Sequence, residues 1–193
     1  MKTKYLILAI TVPAVVLADQ ATKIAAKIGL QPLVSAPDPG ERFLTVIDGF
    51  FRLKYAENAG AAWGLGNAWS PAVRIPFFIV VTLLAIGLIL YFVRRMEEDK
   101  RLLPVAFALV LAGAVGNLID RIYQGRVVDF IDWYVRFDSP LDLGLTTLSA
   151  GEHHWPTFNI ADIGISVGVA LLFLELLFAK KPAQAGASPG RKK

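Results

Sequence analysis

Apolar residues gather into four long runs along the chain, and polar residues collect between the runs rather than alternating with them. The first run, residues 5–18, continues past Asp19 through Ala21, Ile24, Ala25, Ala26 and Ile28, with no turn residue before Gly29. The second covers 76–93, the third 102–119, and the fourth 158–179, with Asp162 and Glu175 inside it. Each approaches the length of about 20 residues that a helix needs to cross hydrocarbon. Together they predict transmembrane helices at about 5–28, 74–93, 102–121 and 158–179. A secretory signal peptide ending at Ala18 competes for the first run, because Lys2 and Lys4 supply a basic start. The unbroken continuation to Gly29 favours a retained helix.

The intervening segments, 29–73 and 122–157, are too polar to span a bilayer. Pro32, Pro37, Pro39 and Gly40 mark a loop. Phe51, Leu53 and Tyr55 then alternate with Arg52 and Lys54, the period of a strand with one wet face. Residues 43–47 are its expected hairpin partner around Asp48-Gly49. The tail, 180–193, is rich in Ala, Pro, Gly and basic residues and reads as disordered. The expected fold class is therefore mainly α and integral to a membrane: four transmembrane helices with a small extracytoplasmic β element. One membrane-embedded domain should cover 1–179.

Composition agrees with this pattern, with 55% hydrophobic residues and a mean hydropathy of +0.52. Cys is absent, which excludes a disulfide framework, a thiolate metal site and a Cys nucleophile. The net charge of +4 does not point to nucleic acid, because the basic residues sit beside apolar runs. Lys2 and Lys4, then Arg94, Arg95, Lys100 and Arg101, then Lys180, Lys181 and 191–193 fall on one side. The positive-inside rule makes that side cytoplasmic, with both termini in it and both large loops outside.

This topology brings distant polar residues to one membrane–water boundary. Asp19 and Lys23, one helical turn apart, sit at the outer end of the first helix. Asn117, Asp120, Arg121 and Asp129 lie at or beyond the outer end of the third. Asn159 and Asp162 lie at the outer start of the fourth, and Asn58 belongs to the outer loop. Ionisable groups at membrane depth are costly and mark function. Two carboxylates held together cannot both ionise cheaply, so one keeps a proton near neutral pH. Such a pair can activate water as a base while polarising a carbonyl as an acid. The only histidines, His153 and His154, lie in the polar insertion, without a serine partner or further metal ligands. Neither a metal nor a cofactor is expected.

Other readings compete. A small proton-coupled transporter or binding protein could use the carboxylates as a relay. It calls for protonation sites across the membrane depth, whereas only Glu175 lies deep. Asp129 and Asp162 could instead be held by Arg121 or Arg126 as structural ion pairs. Asp120 beside Arg121 reads as a paired scaffold element. Asp19 and Lys23 read either as an interfacial ion pair with a snorkelling lysine or as a contact for substrate backbone or lipid headgroup. Asn159 can cap the fourth helix or hydrogen-bond the carboxylate pair. Gly113, Gly116, Gly164 and Gly168 suggest close helix packing.

Five motifs, DQATK (19–23), NAGAAWG (58–64), AGAVGNLIDR (112–121), VVDF (127–130) and FNIAD (158–162), resemble in order those of the bacterial lipoprotein signal peptidases, or signal peptidase II. The resemblance implies a membrane aspartyl endopeptidase of the bacterial cytoplasmic (inner) membrane, with its active site near the outer face. It would remove signal peptides from diacylglyceryl-modified prolipoproteins, cutting before the lipidated cysteine. By motif, Asp129 and Asp162 are the catalytic pair. Asp19, Lys23, Asn58, Gly60, Asn117, Asp120, Arg121 and Asn159 would support the pair or meet the substrate. Small outer strands and a mobile segment near the site are also implied. The expected partners are prolipoproteins and membrane lipids, with no nucleic acid, and the expected state is a monomer. Residues 133–156 and the tail are longer than the family's usual pattern, and Trp63 stands where a smaller aromatic is usual.

Overall fold

The computed structural model describes residues 2–60, 65–66, 68–98, 101–142, 144 and 146–178. The motif residues 61–64, with Trp63, and the tail 180–193 lie outside them. Four helices dominate: α1 (Thr3–Gly29), α2 (Pro71–Arg95), α3 (Leu102–Gln124) and α4 (Ile160–Phe178). All four are long and apolar enough to cross a membrane. Each lies on one of the four apolar runs. Leu17, Leu84 and Leu176, each about 70% exposed, show the faces left for lipid.

Local signals explain the helix ends. Pro71 opens α2, where a missing N–H costs nothing. Arg94 and Arg95 occupy its last turn, next to the negative end of the helix dipole. The buried Lys4 also donates to the carbonyls of Arg94 and Met96, tying the start of α1 to the end of α2. At the end of α3, Gly125 adopts φ 70°, the left-handed conformation that closes a helix and reverses the chain.

The helices pack through small residues, as the glycine spacing suggests. A Cβ on Gly113 would strike the backbone oxygen of Ala161, and one on Gly168 would lie 2.7 Å from the oxygen of Ala106. A Cβ on Gly116 would lie 2.6 Å from Asp19 Oδ2. Side chains at these positions would force α3 away from α4 and α1. Without an interhelical hydrophobic drive in lipid, such backbone proximity is what holds helices together.

Beyond the helix ends lies a four-stranded antiparallel sheet in the order β1-β2-β3-β6. β1 (Leu44–Ile47) and β2 (Phe51–Asn58) are the expected hairpin, with β2 three residues longer than its alternating core. β3 (Val127–Phe137) was not foreseen. Its first six residues are all buried, so no alternation marks it. The polar insertion also holds structure: β6 (Gly151–His154) pairs with β3, while β4 (Leu141–Asp142) and β5 (Thr147–Leu148) form a separate ribbon. The sheet packs onto the helices through Ala26, Leu30, Phe130 and Ile131, joined by Leu33, Phe51, Leu53, Phe158 and Ile160.

A charged knot fixes β2, β3 and β6 to one another. Asp132, fully buried, accepts from Arg52 Nε at 2.7 Å and from Lys54 Nζ at 2.9 Å, and His154 Nδ1 lies 3.1 Å away. Burial opposes the Asp132 charge, but Lys54 and Arg52 outweigh it and hold the carboxyl below its ordinary range. Arg52 also reaches Glu152 at 2.9 Å and lies over the rings of Phe43 and Tyr134.

Candidate active site

The turn at Gly125 carries the chain from α3 directly into β3, so Asp129 lies only a few residues from the helix end. Two contacts fix its position. Asp120 Oδ2 accepts from Val128 N at 3.1 Å, binding the start of β3 back onto α3. Phe158 O accepts from Phe130 N at 3.0 Å and from Ile131 N at 2.9 Å, docking the approach to α4 beside the same strand. The carboxylates of Asp129 and Asp162 meet there as a result.

Asn159 joins them. Its Nδ2 donates to Asp129 Oδ1 at 2.7 Å, and its backbone N donates to Asp162 Oδ2 at 3.1 Å. Its Oδ1 accepts from Asp162 N at 3.0 Å. That reciprocal pair has the logic of a capping box, with the residue three positions into α4 returning the cap's bond. Asn159 therefore performs both roles considered for it. Asp19 Oδ1 satisfies the next free donor of α4, Ala161 N, at 2.9 Å. The helix start is thus held by two side chains, one of them from α1.

Behind the carboxylates lies a buried layer of alternating charge. Lys23 Nζ contacts Asp19 Oδ2 at 2.8 Å, Asp120 Oδ2 at 3.0 Å and Asn117 Oδ1 at 3.0 Å. Asn117 passes this order forward, donating to Asp162 Oδ1 at 2.8 Å. Lys23 is 3% exposed, so its amine is not at the water surface. The expectation of a snorkelling lysine is corrected: three acceptors in the interior outbid hydration. The expected Asp120–Arg121 pair is also absent. Neighbours on a helix diverge by about 100°, so Asp120 faces α1 while Arg121 faces the loop after β2. Arg121 donates to Gly60 O at 3.1 Å and to Asn117 O at 3.3 Å, and its guanidinium lies over Phe78. Arg126 pairs with Glu57 at 2.7 Å rather than with Asp129.

Asn58 completes the set. It accepts from Gly60 N at 3.1 Å and hydrogen-bonds Asp129. All ten residues singled out in the sequence therefore gather within one connected network. Sequence reasoning missed Gln20, whose Nε2 reaches Asp19 Oδ2, Gly116 O and Asp120 Oδ1 at 3.1–3.2 Å. Its signal was its place beside Asp19 inside the first motif.

Burial is the largest influence on Asp129, which is 3% exposed, and the charge of Asp162 adds to it. Together they push the Asp129 carboxyl up to about 7, against the hydrogen bonds from Asn58 and Asn159. Asp162 is half-buried, so water reaches the pair from its side. A carboxyl raised to about 7, a more accessible carboxylate beside it and fixed donors behind both are suited to acid–base work on a water and a carbonyl.

Comparison with known proteins places this arrangement. The family model described as signal peptidase (SPase) II matches residues 11–178. The chain is 39% identical over 177 residues to a lipoprotein signal peptidase of Geobacter metallireducens, covering 92% of this chain and 94% of that one. It is 38% identical over 183 residues to one of Syntrophus aciditrophicus, covering 94% and 98%. A bacterial membrane enzyme solved by the in meso method at 2.3 Å resolution superposes with a TM-score of 0.65 at 30% identity, covering 95% of this chain and 94% of that one.

Proposed function

The chain belongs to the signal peptidase II family, and from that membership we propose that it is an aspartic endopeptidase working through Asp129 and Asp162. Its substrates are diacylglyceryl-modified prolipoproteins, cut before the lipidated cysteine. The observation that carries this reading is that one residue, Asn159, holds both carboxylates, Asp129 through its side-chain amide at 2.7 Å and Asp162 through its backbone N–H at 3.1 Å. Ionised carboxylate takes a proton from water, and the water oxygen attacks the scissile carbonyl. The protonated partner donates to the carbonyl oxygen, and a proton then passes to the departing amine. The two groups titrate as one unit.

The remaining residues serve the pair. Asn117 and Asn159 aim the carboxylates, and the Asp19–Lys23–Asp120 layer keeps them from moving. Arg121 positions the backbone at Gly60, beside Asn58. The diacyl anchor fixes the scissile bond at the depth of the site, so binding energy supplies orientation. The basic flanks put both termini in the cytoplasm and the site at the outer face of the inner membrane. Residues 1–179 act as one membrane-embedded unit and a single chain carries the whole site.

The test is incubation of the solubilised protein with a diacylglyceryl-modified prolipoprotein, beside an unlipidated copy. Only the lipidated form should be cleaved. Asp129→Asn and Asp162→Asn should each abolish turnover while the protein stays folded and inserted. Appreciable cleavage by either variant refutes the pair.

A further inference from the structure

Lys23 and Asp120 also line a concave feature whose lining includes neither Asp129 nor Asp162. It is a cleft of about 210 Å³ between the outer ends of α1 and α3. That is roughly seven water volumes, enough for part of a lipid headgroup. Lys23 and Asp120 form its floor and Ile24, Ile119 and Val128 its apolar walls. Gln20, Lys27, Tyr123 and Gln124 stand around it. Ile24 is 58% and Tyr123 86% exposed, so the cleft opens sideways where α1 and α3 leave the bilayer.

The polar groups at its mouth differ from those at its floor. Lys23 is saturated by two carboxylates and an amide. Lys27 is exposed, and its hydrogen bond is a 3.4 Å contact to the neutral Gln124 Oε1. Among the described residues no carboxylate lies within ion-pairing range of it. Glu57 feels its charge, but Glu57 is already taken by Arg126 at 2.7 Å and by the Tyr55 hydroxyl at 3.0 Å. The mouth thus presents an ammonium held only by a long contact to a neutral amide, above an apolar slot that is continuous with lipid-facing surface.

We propose that this cleft binds a phospholipid, whose phosphate is held by Lys27 and the Gln124 amide while its glycerol and first acyl carbons lie on Ile24, Ile119 and Tyr123. A basic group beside an apolar groove between membrane helices is the arrangement that recognises lipid phosphate. The floor links the site to the carboxylate pair, because Lys23 touches Asn117 and Asn117 touches Asp162. The orientation proposed above enters only in naming the outer leaflet as the source of the lipid.

Native mass spectrometry of the delipidated full chain, titrated with phosphatidylglycerol, tests this without any cleavage assay. The expected result is one retained lipid per chain. Lys27→Ala should weaken it about fivefold, Lys27→Glu further, and Lys27→Arg little. Arg42→Ala, at another exposed outer cation, should change nothing. Diacylglycerol with the same chains, and glycerol phosphate alone, should both fail to bind. Equal retention by the wild type and Lys27→Glu overturns the site. So does equal binding of diacylglycerol, and binding of glycerol phosphate alone would make it a site for soluble anions instead. If the lipid binds as described and no prolipoprotein is cut, the peptidase reading fails and this one stands.

Discussion

Replacing Asn159 tests the site more sharply than replacing either carboxylate, because its side-chain amide both donates to Asp129 and caps the helix that carries Asp162. Asn159→Ala removes the 2.7 Å donation to Asp129 Oδ1 and the acceptor for Asp162 N. A hydrogen bond to a charged group is worth about 1.5–3 kcal/mol, and one pKa unit corresponds to about 1.4 kcal/mol. The lost bond favoured the ionised form of Asp129, so its removal raises a pKa that already stands at about 7 by roughly one to two units. The pair then keeps its proton to higher pH, and the alkaline limb of kcat/KM moves upward. The same variant loses the cap of α4, at a cost of about 1 kcal/mol. Asn159→Ser separates the two effects. Serine restores a cap oxygen but has no amide to offer Asp129, so it should recover thermal stability and leave the alkaline limb displaced. A pH–rate profile with a lipidated substrate in bilayers measures this. An alkaline limb that stays in place, or moves down, refutes the role given to Asn159.

Other substitutions probe the scaffold. Lys23→Met leaves Asp19 and Asp120 buried without their shared cation and should cost about 3–5 kcal/mol in thermal unfolding. Adding Asp120→Asn should recover part of that loss. Gly168→Ala places a Cβ 2.7 Å from the Ala106 oxygen and should destabilise by about 1–3 kcal/mol, whereas Gly87→Ala, whose Cβ meets nothing, should not. Equal melting temperatures for the two glycine variants would refute the packing assigned to the α3–α4 seam.

The helices were legible because membrane burial leaves a one-dimensional signature. The hairpin was legible because Arg52 and Lys54 break the apolar positions at the period of a strand. β3 was not, since its first six residues are all buried and so show no alternation. The site's membership was legible from the motifs, but its wiring was not. Adjacency in sequence suggested Asp120 with Arg121, whereas the helix turns them apart and Lys23, remote in sequence, takes the aspartate. His154 gave no sign of joining Asp132, because their contact depends on the pairing of β6 with a strand that was itself hidden.

The Asp19–Lys23 contact also bears on how the molecule assembles. α1 leaves the ribosome well before α3, so its two charges reach the membrane while Asp120 and Asn117 do not yet exist. Separately, each would resist entry by up to about 3 kcal/mol. Four residues apart on one helix and 2.8 Å from each other, they cancel within α1 itself. Between Lys4 at one end and Lys27 at the other, the first helix can therefore enter with its inner charges already neutralised, and Lys23 takes on a second carboxylate only when the third helix arrives.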